Sequence, residues 1–238
     1  MDGFSDEAII ESWRKNAIPW INAIRNSAIS SRVDVTDNAI VTAVMRGNPK
    51  TVLDVGCGEG WLIRALSAFG IDCTGIDAVP EFSECVEKSG GRFLHLPYEL
   101  FGAESFTGEF DAVVCNFSLL GKESVERVIE HSPHILATAG TLIIQTLHPV
   151  EASTPETYVD GWRKGDWRGI GGGFVEPAPW YFRTLGSWEE LLSQAGFTHL
   201  KVTEPRHPNT GARMSVIFEA TRSDQSSDRA PHLISPHG

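Results

Sequence analysis

The chain has 238 residues, is 41% hydrophobic and carries a formal net charge of −11. That length and composition fit one α/β domain with a sizeable core, and the acidic balance argues against a nucleic-acid substrate, which needs a basic surface. No apolar run approaches the roughly 18 residues of a membrane span, so no membrane partner is expected. The start of the chain, with Asp2, Asp6, Glu7 and Glu11, lacks the basic opening of a signal peptide, which makes a cytoplasmic location the expectation. Cys57, Cys73, Cys85 and Cys115 lack zinc-like spacing, and no metal site is expected.

In chain order, residues 1–47 read as a helical cap. Glu7 to Lys15 forms one amphipathic piece, Pro19 sits in the first turn of a second helix running to about residue 29, and Thr36 caps a third over 37–46 that Gly47 ends. Trp13 and Trp20 read as core residues of this cap ahead of site residues, and Arg32 as a surface arginine, with a reach from the cap to a ligand carboxylate as its other reading. Strands and helices then alternate: strand 51–55 and helix 61–69, strand 71–76 and helix 80–89, strand 92–96, strand 110–115 and helix 122–137, and strand 140–146. This alternation predicts an α/β, Rossmann-like, doubly wound sheet that is mostly parallel. Residues 148–183 break the pattern with Tyr158, Trp162, Trp167, Trp180 and Tyr181 and the run Gly171-Gly-Gly173. Ser187 and Glu190 form a capping box opening helix 188–195. The short connection between strands 198–203 and 214–221 requires them to pair antiparallel, giving seven strands in all. The expected organisation is a cap over 1–47, a core domain over 48–221 with a 148–183 insert, and a disordered tail over 222–238.

The densest signal is Thr51-Val-Leu-Asp-Val-Gly-Cys-Gly-Glu-Gly60 followed by Thr74-Gly-Ile-Asp77. A buried strand enters a glycine turn, where missing side chains permit close ligand approach, and the amides at the next helix start favour an anionic ligand group such as a carboxylate. An acid ending the second strand is suited to the two hydroxyls of a ribose. The spacing Asp54-x-Gly56-x-Gly58-x-Gly60 differs from the dinucleotide fingerprint. It resembles the first motif of class I S-adenosylmethionine-dependent methyltransferases, and the chain as a whole looks most like the small-molecule type found in ubiquinone biosynthesis. That resemblance spans roughly residues 36–221. It implies S-adenosyl-L-methionine as cofactor, with Asp54, Gly56, Cys57, Gly58 and Gly60 around its methionine part. Trp61 is nearby by position, and Asp77 with Ala78 lies at the ribose. Tyr98 and Glu99 occupy the adenine side, where the family's usual Asp is replaced. Asn116 and Phe117 lie at the strand-four tip beside the methyl donor.

Methyl transfer to a hydroxyl needs its proton removed, and a histidine suits that task. His148, directly after strand 140–146, is the candidate base; substrate orientation and a plain loop histidine are the other readings. Gln145 is a candidate substrate contact or a strand-end residue. The aromatic insert reads either as a lid over a flat substrate, through Tyr158, Trp162, Trp167, Trp180 and Tyr181, or as a packed subdomain or homodimer face. Arg163, Lys164 and Arg168 make a thin local basic patch. The expected function is methylation of a small aromatic or heteroaromatic metabolite, oxygen favoured over nitrogen or carbon. A protein side-chain methyltransferase and a non-catalytic binder of the cofactor are the alternatives.

Overall fold

The computed structural model describes residues 3–222, so the expected tail lies outside the described residues apart from Arg222. Seven strands form the main sheet: β1 (Thr51–Val55), β2 (Asp72–Asp77), β3 (Arg92–His95), β4 (Phe110–Asn116), β5 (Leu136–Thr146), β8 (His199–Thr203) and β9 (Val216–Thr221). Their order is β3-β2-β1-β4-β5-β9-β8, parallel except for β9, which runs antiparallel to both neighbours. Two further strands inside the insert, β6 (Gly161–Arg163) and β7 (Trp180–Phe182), pair as a separate antiparallel hairpin.

Helices cover both faces, because the central strands are apolar on both sides. On one face Leu53, Val113, Cys115 and Ile144 pack with Val128 and Ile129 of α5 (Glu123–His131) and Trp188 of α6 (Leu185–Gln194). On the other, Val52, Cys73 and Val114 pack with Ile40 and Val44 of α2 (Asp37–Arg46) and Leu62 and Ile63 of α3 (Trp61–Ser67). Crossovers of this kind leave the carboxyl ends of the parallel strands open as a crevice. The remaining helices are α1 (Asp6–Arg25) and α4 (Ser83–Lys88).

Several local expectations are corrected. The α1 helix is continuous through Pro19, because contacts on both sides of the proline override its helix-breaking tendency. Before it, Ser12 and Asn16 are pinned by residues 175–176; after it, Ile21 packs with Val79 and Phe82. Thr36 makes no cap bond. It ends a π-turn, Arg32–Thr36, that runs straight into α2. Pro133 cuts the predicted helix 122–137 short at His131, and β5 begins earlier, at Leu136. The α6 helix is capped by Thr184, whose hydroxyl accepts from the Ser187 amide, and not by Ser187.

Candidate active site

Where β1 ends, the chain turns through Gly56 and Gly58, both with positive φ (71° and 53°). A Cβ on Gly56 would lie 2.3 Å from the Tyr98 hydroxyl and 2.5 Å from Ser118 Cβ; one on Gly58 would meet Trp20 Nε1 at 3.1 Å. Only glycine combines that backbone with that clearance. Gly60 answers a different need, since a side chain there would press on Val86 of α4. The loop amides point inward: those of Gly56 and Cys57 donate to the Ile76 carbonyl at 2.8 and 3.0 Å, and that of Gly58 to Asp77 Oδ2 at 2.9 Å. These three loop amides are thus engaged within the fold, ahead of the α3 start on which the anion preference is expected.

Asp77 ends β2 half-buried, with Oδ1 accepting from the Val79 amide at 2.9 Å. Burial raises its carboxyl to about 6 against the lowering influence of the Gly58, Val79 and Ala78 amides. Each oxygen keeps further accepting capacity. Asp54 is buried beneath the loop, and burial together with Asp77 raises it to about 7, with Arg32 opposing. Burial keeps the phenol of Tyr98 and the thiol of Cys57 protonated.

A cavity of about 860 Å³ opens above this floor. Of the residues expected near the cofactor, Gly56, Cys57, Gly58, Trp61, Asp77, Ala78, Tyr98, Glu99, Asn116 and Phe117 line it, whereas Asp54 and Gly60 lie behind the wall. Phe117 takes φ 54° just after the β4 tip, a strained conformation for a bulky residue of the kind that clusters at functional sites. The Asn116 Oδ1 atom is buried without a partner.

The substrate expectations are partly corrected. Trp167, Trp180 and Tyr181 line the cavity. Tyr158 instead packs edge-on to Phe182 and accepts from the Leu185 amide, and Trp162 stacks on Phe4, so both brace the outside of the hairpin. Gln145 is buried off the cavity, donating to the Thr36 carbonyl at 3.1 Å, which ties β5 to the cap. His148 is corrected as well. Its neighbours Leu147 and Pro149 line the cavity, but its own side chain is fully buried, with Nε2 2.8 Å from Glu204 Oε1 and Nδ1 closed off from solvent. A ring so placed anchors the β8–β9 connection; it does not reach a substrate in this conformation.

In the cap, Trp13 and Trp20 pack on the Ile21, Val79 and Phe82 cluster and also face the site, while Arg32 departs from the surface reading. Trp13 and Trp20 line the cavity, meeting edge-to-face at 5.1 Å, and Trp13 meets Trp167 at 5.5 Å. Six of the seven tryptophans line this space, all but Trp162. Arg32 is buried, not a surface residue. It lies 4.6 Å over the Trp61 ring and 5.7 Å over Trp20, with Nε on Asp37 at 2.9 Å and one terminal nitrogen buried without an acceptor. The π-turn that aims it carries no sequence signal comparable to the glycine loop. Such turns often mark functional positions.

The roof is a polar latch between α1 and the insert. The Asn16 amide is completely buried, donating to the Ser12 and Val175 carbonyls and accepting from the Val175 amide. Ser12 donates to the Glu176 carbonyl at 2.6 Å. On the far side, the Tyr181 amide donates to the Leu120 carbonyl at 2.7 Å, fastening the hairpin to the loop after β4. Among the described residues there is no grouping of His, Cys, Asp and Glu suited to a metal ion, and no helix long and apolar enough to cross a membrane.

Comparison with known proteins agrees with this geometry. A ubiquinone biosynthesis O-methyltransferase from Psychrobacter cryohalolentis is 28% identical over 177 residues, covering 65% of this chain and 67% of the relative. An S-adenosylmethionine-dependent methyltransferase structure from Mesorhizobium loti superposes with a TM-score of 0.60 at 20% identity, covering 72% of this chain and 90% of that one. The glycopeptide N-methyltransferase MtfA bound to S-adenosylmethionine gives 0.54 at 14%, covering 72% and 86%. Residues 36–202 match the family described as a methyltransferase domain. The chain belongs to that family and is an S-adenosylmethionine-dependent methyltransferase with a Rossmann-like, seven-stranded fold.

Proposed function

We propose that this enzyme methylates a small planar metabolite, on oxygen in preference to nitrogen or carbon. The observation that carries the proposal is the continuity of one cavity, from the Gly56–Gly58 floor to an aromatic chamber at the β4 and β5 tips. S-adenosylmethionine, when bound, supplies an electrophilic methyl group on a sulfonium.

The chain's residues divide the remaining work. The cleared space over Gly56 and Gly58 admits a ligand against the main chain. Asp77, already oriented by two amides, has acceptor capacity for ribose hydroxyls. The unpaired nitrogen of Arg32 is the cation suited to the methionine carboxylate, since a buried guanidinium nitrogen without an acceptor costs free energy until one arrives. Tyr98 and Glu99 stand on the adenine side. Phe117, Trp167, Trp180 and Tyr181 would hold a flat acceptor in line with the methyl group and keep water out. Well-oriented reactants reach effective molarities of about 10⁵ M or more. No histidine lines the cavity among the described residues, so an acidic acceptor that ionises readily suits it better than one needing a strong base.

Oxygen is favoured by the likeness to the ubiquinone O-methyltransferases, and a metabolite over a protein side chain by the enclosing roof. The test uses methyl-labelled S-adenosylmethionine, the purified enzyme and a cell extract. Label in the organic-extractable fraction is the expected result. Label in acid-precipitable material would replace this reading with a protein target, and cofactor binding without label in either fraction would favour a non-catalytic binder.

A further inference from the structure

The chamber beyond the β4 tip is opposite in sign to the chain around it. The protein carries −11 overall, yet Arg163, Lys164, Arg168 and Arg183 all line this one space. Of the cavity's four carboxylates, Asp77 and Glu99 lie on the cofactor side, and the other two are already engaged. Asp166 pairs with Arg168 at 2.7 Å. The two oxygens of Asp6 accept the Lys122 and Ser124 amides at 2.9 and 2.7 Å, at the start of α5.

Two cations remain without a carboxylate partner, Arg163 and Lys164. Beside them Arg183 is buried, donating to the carbonyls of Gly121 and Lys122, both at 2.9 Å, and pairing with Glu126 at 3.5 Å. Arg163 donates to the carbonyls of Thr157 and Val159, while its Nε is buried without a partner. Carbonyls orient a guanidinium without cancelling its charge. Lys164 is exposed and forms no ion pair among the described residues. The fixed cations stand beside flat apolar walls, Arg163 4.5 Å over the Phe182 ring and Arg183 4.7 Å over Tyr181.

We infer that the acceptor is a planar aromatic acid, its ring held against the tryptophan and tyrosine walls and its carboxylate directed to Arg163 and Lys164. This rests on the methyl-transfer reading of the same cavity. A flat amine would bring a like charge to Arg163 and Lys164, and a neutral ring would leave both unanswered.

The experiment is calorimetry on the full chain saturated with S-adenosylhomocysteine, using three probes of matched shape: naphthoate, naphthamide and naphthylmethylammonium. Naphthoate is expected to bind about tenfold or more tightly than the amide, the scale of a charge-assisted hydrogen bond, and the cation most weakly. Lys164→Glu is expected to abolish the preference for the acid, whereas Lys88→Glu, on α4 away from the cavity, is expected to retain it. Equal or tighter binding of the amide, binding of none of the three, or an acid preference that survives Lys164→Glu would overturn the inference. Failure to bind S-adenosylhomocysteine would instead overturn the methyl-transfer reading beneath it.

Discussion

The floor and roof of the cavity differ in how far apart their parts lie along the chain. The floor is drawn mainly from residues 51–77, where β1 pairs in parallel with β2 and the Gly58 amide meets Asp77 only 19 positions on. The roof joins Asn16 to Val175, 159 positions apart, through hydrogen bonds beside the edge-to-face contact of Trp13 with Trp167. Buried strands give the floor its rigidity, whereas the roof is held by a few polar and ring contacts between segments far apart in the chain. A ligand reaching the floor needs a way in, and a wall held by so few contacts is the part suited to open.

The largest effect is expected at the floor. Gly56→Ala places a methyl group against Tyr98 and Ser118 and forces a positive φ on alanine. Stability should fall by about 3 kcal/mol from the two penalties together, and calorimetry should detect no S-adenosylhomocysteine binding. Retained binding would show that the loop is softer than the comparison requires.

Asp77→Ala should weaken S-adenosylhomocysteine by roughly 1–3 kcal/mol, the scale of lost hydrogen bonds to a charged group. Wild-type affinity should also decline as pH falls through about 6, where this carboxyl gains its proton. The sign for stability is opposite. A raised carboxyl holds its proton more tightly when folded, so its stabilising contribution is complete below the unfolded value near 4 and is lost as pH rises through 6. An affinity profile that is flat across that range would remove Asp77 from the ligand.

At the roof, Asn16→Ala should cost about 1–2 kcal/mol by removing a buried amide's bonds and leaving the Val175 amide without its partner, while the Val175 carbonyl keeps the Trp167 indole. The sharper readout is amide exchange: protection at Val175 should drop while that of β1 and β4 persists. Loss of protection in both places would mean that floor and roof open as one unit, and the distinction would fail.

The smallest catalytic effect is expected from His148→Ala. Turnover should stay within a few-fold, with a stability loss of about 1–2 kcal/mol from the broken contact to Glu204. A hundredfold fall in turnover with unchanged cofactor binding and melting temperature would return this histidine to the chemistry.

The same contrast explains what the sequence disclosed. Apolar strands at regular spacing, the Gly56–Gly60 loop and the acid at Asp77 are short-range signals, and the mostly parallel sheet is legible from the alternation of its elements. Trp13, Trp20 and Arg32 have no such signal. Their roles depend on α1 passing unbroken through Pro19 and on a π-turn, both set by contacts with residues far along the chain. His148 misled for a related reason: position at a strand tip is legible, but the direction of its ring is fixed by Glu204, 56 positions later. Tyr158 and Trp162 stand out by composition alone, while contacts with Phe182 and Phe4, distant along the chain, set where their rings lie.

The crowding of six tryptophans around one space has an optical consequence. Ultraviolet emission from this protein comes almost entirely from rings that a ligand would touch or shield, with Trp162 as the sole background emitter. Filling the chamber should therefore change the intensity and colour of that emission without any label. Trp162→Phe would leave a protein whose whole tryptophan signal reports occupancy, and the entry of a ligand could be followed in stopped flow.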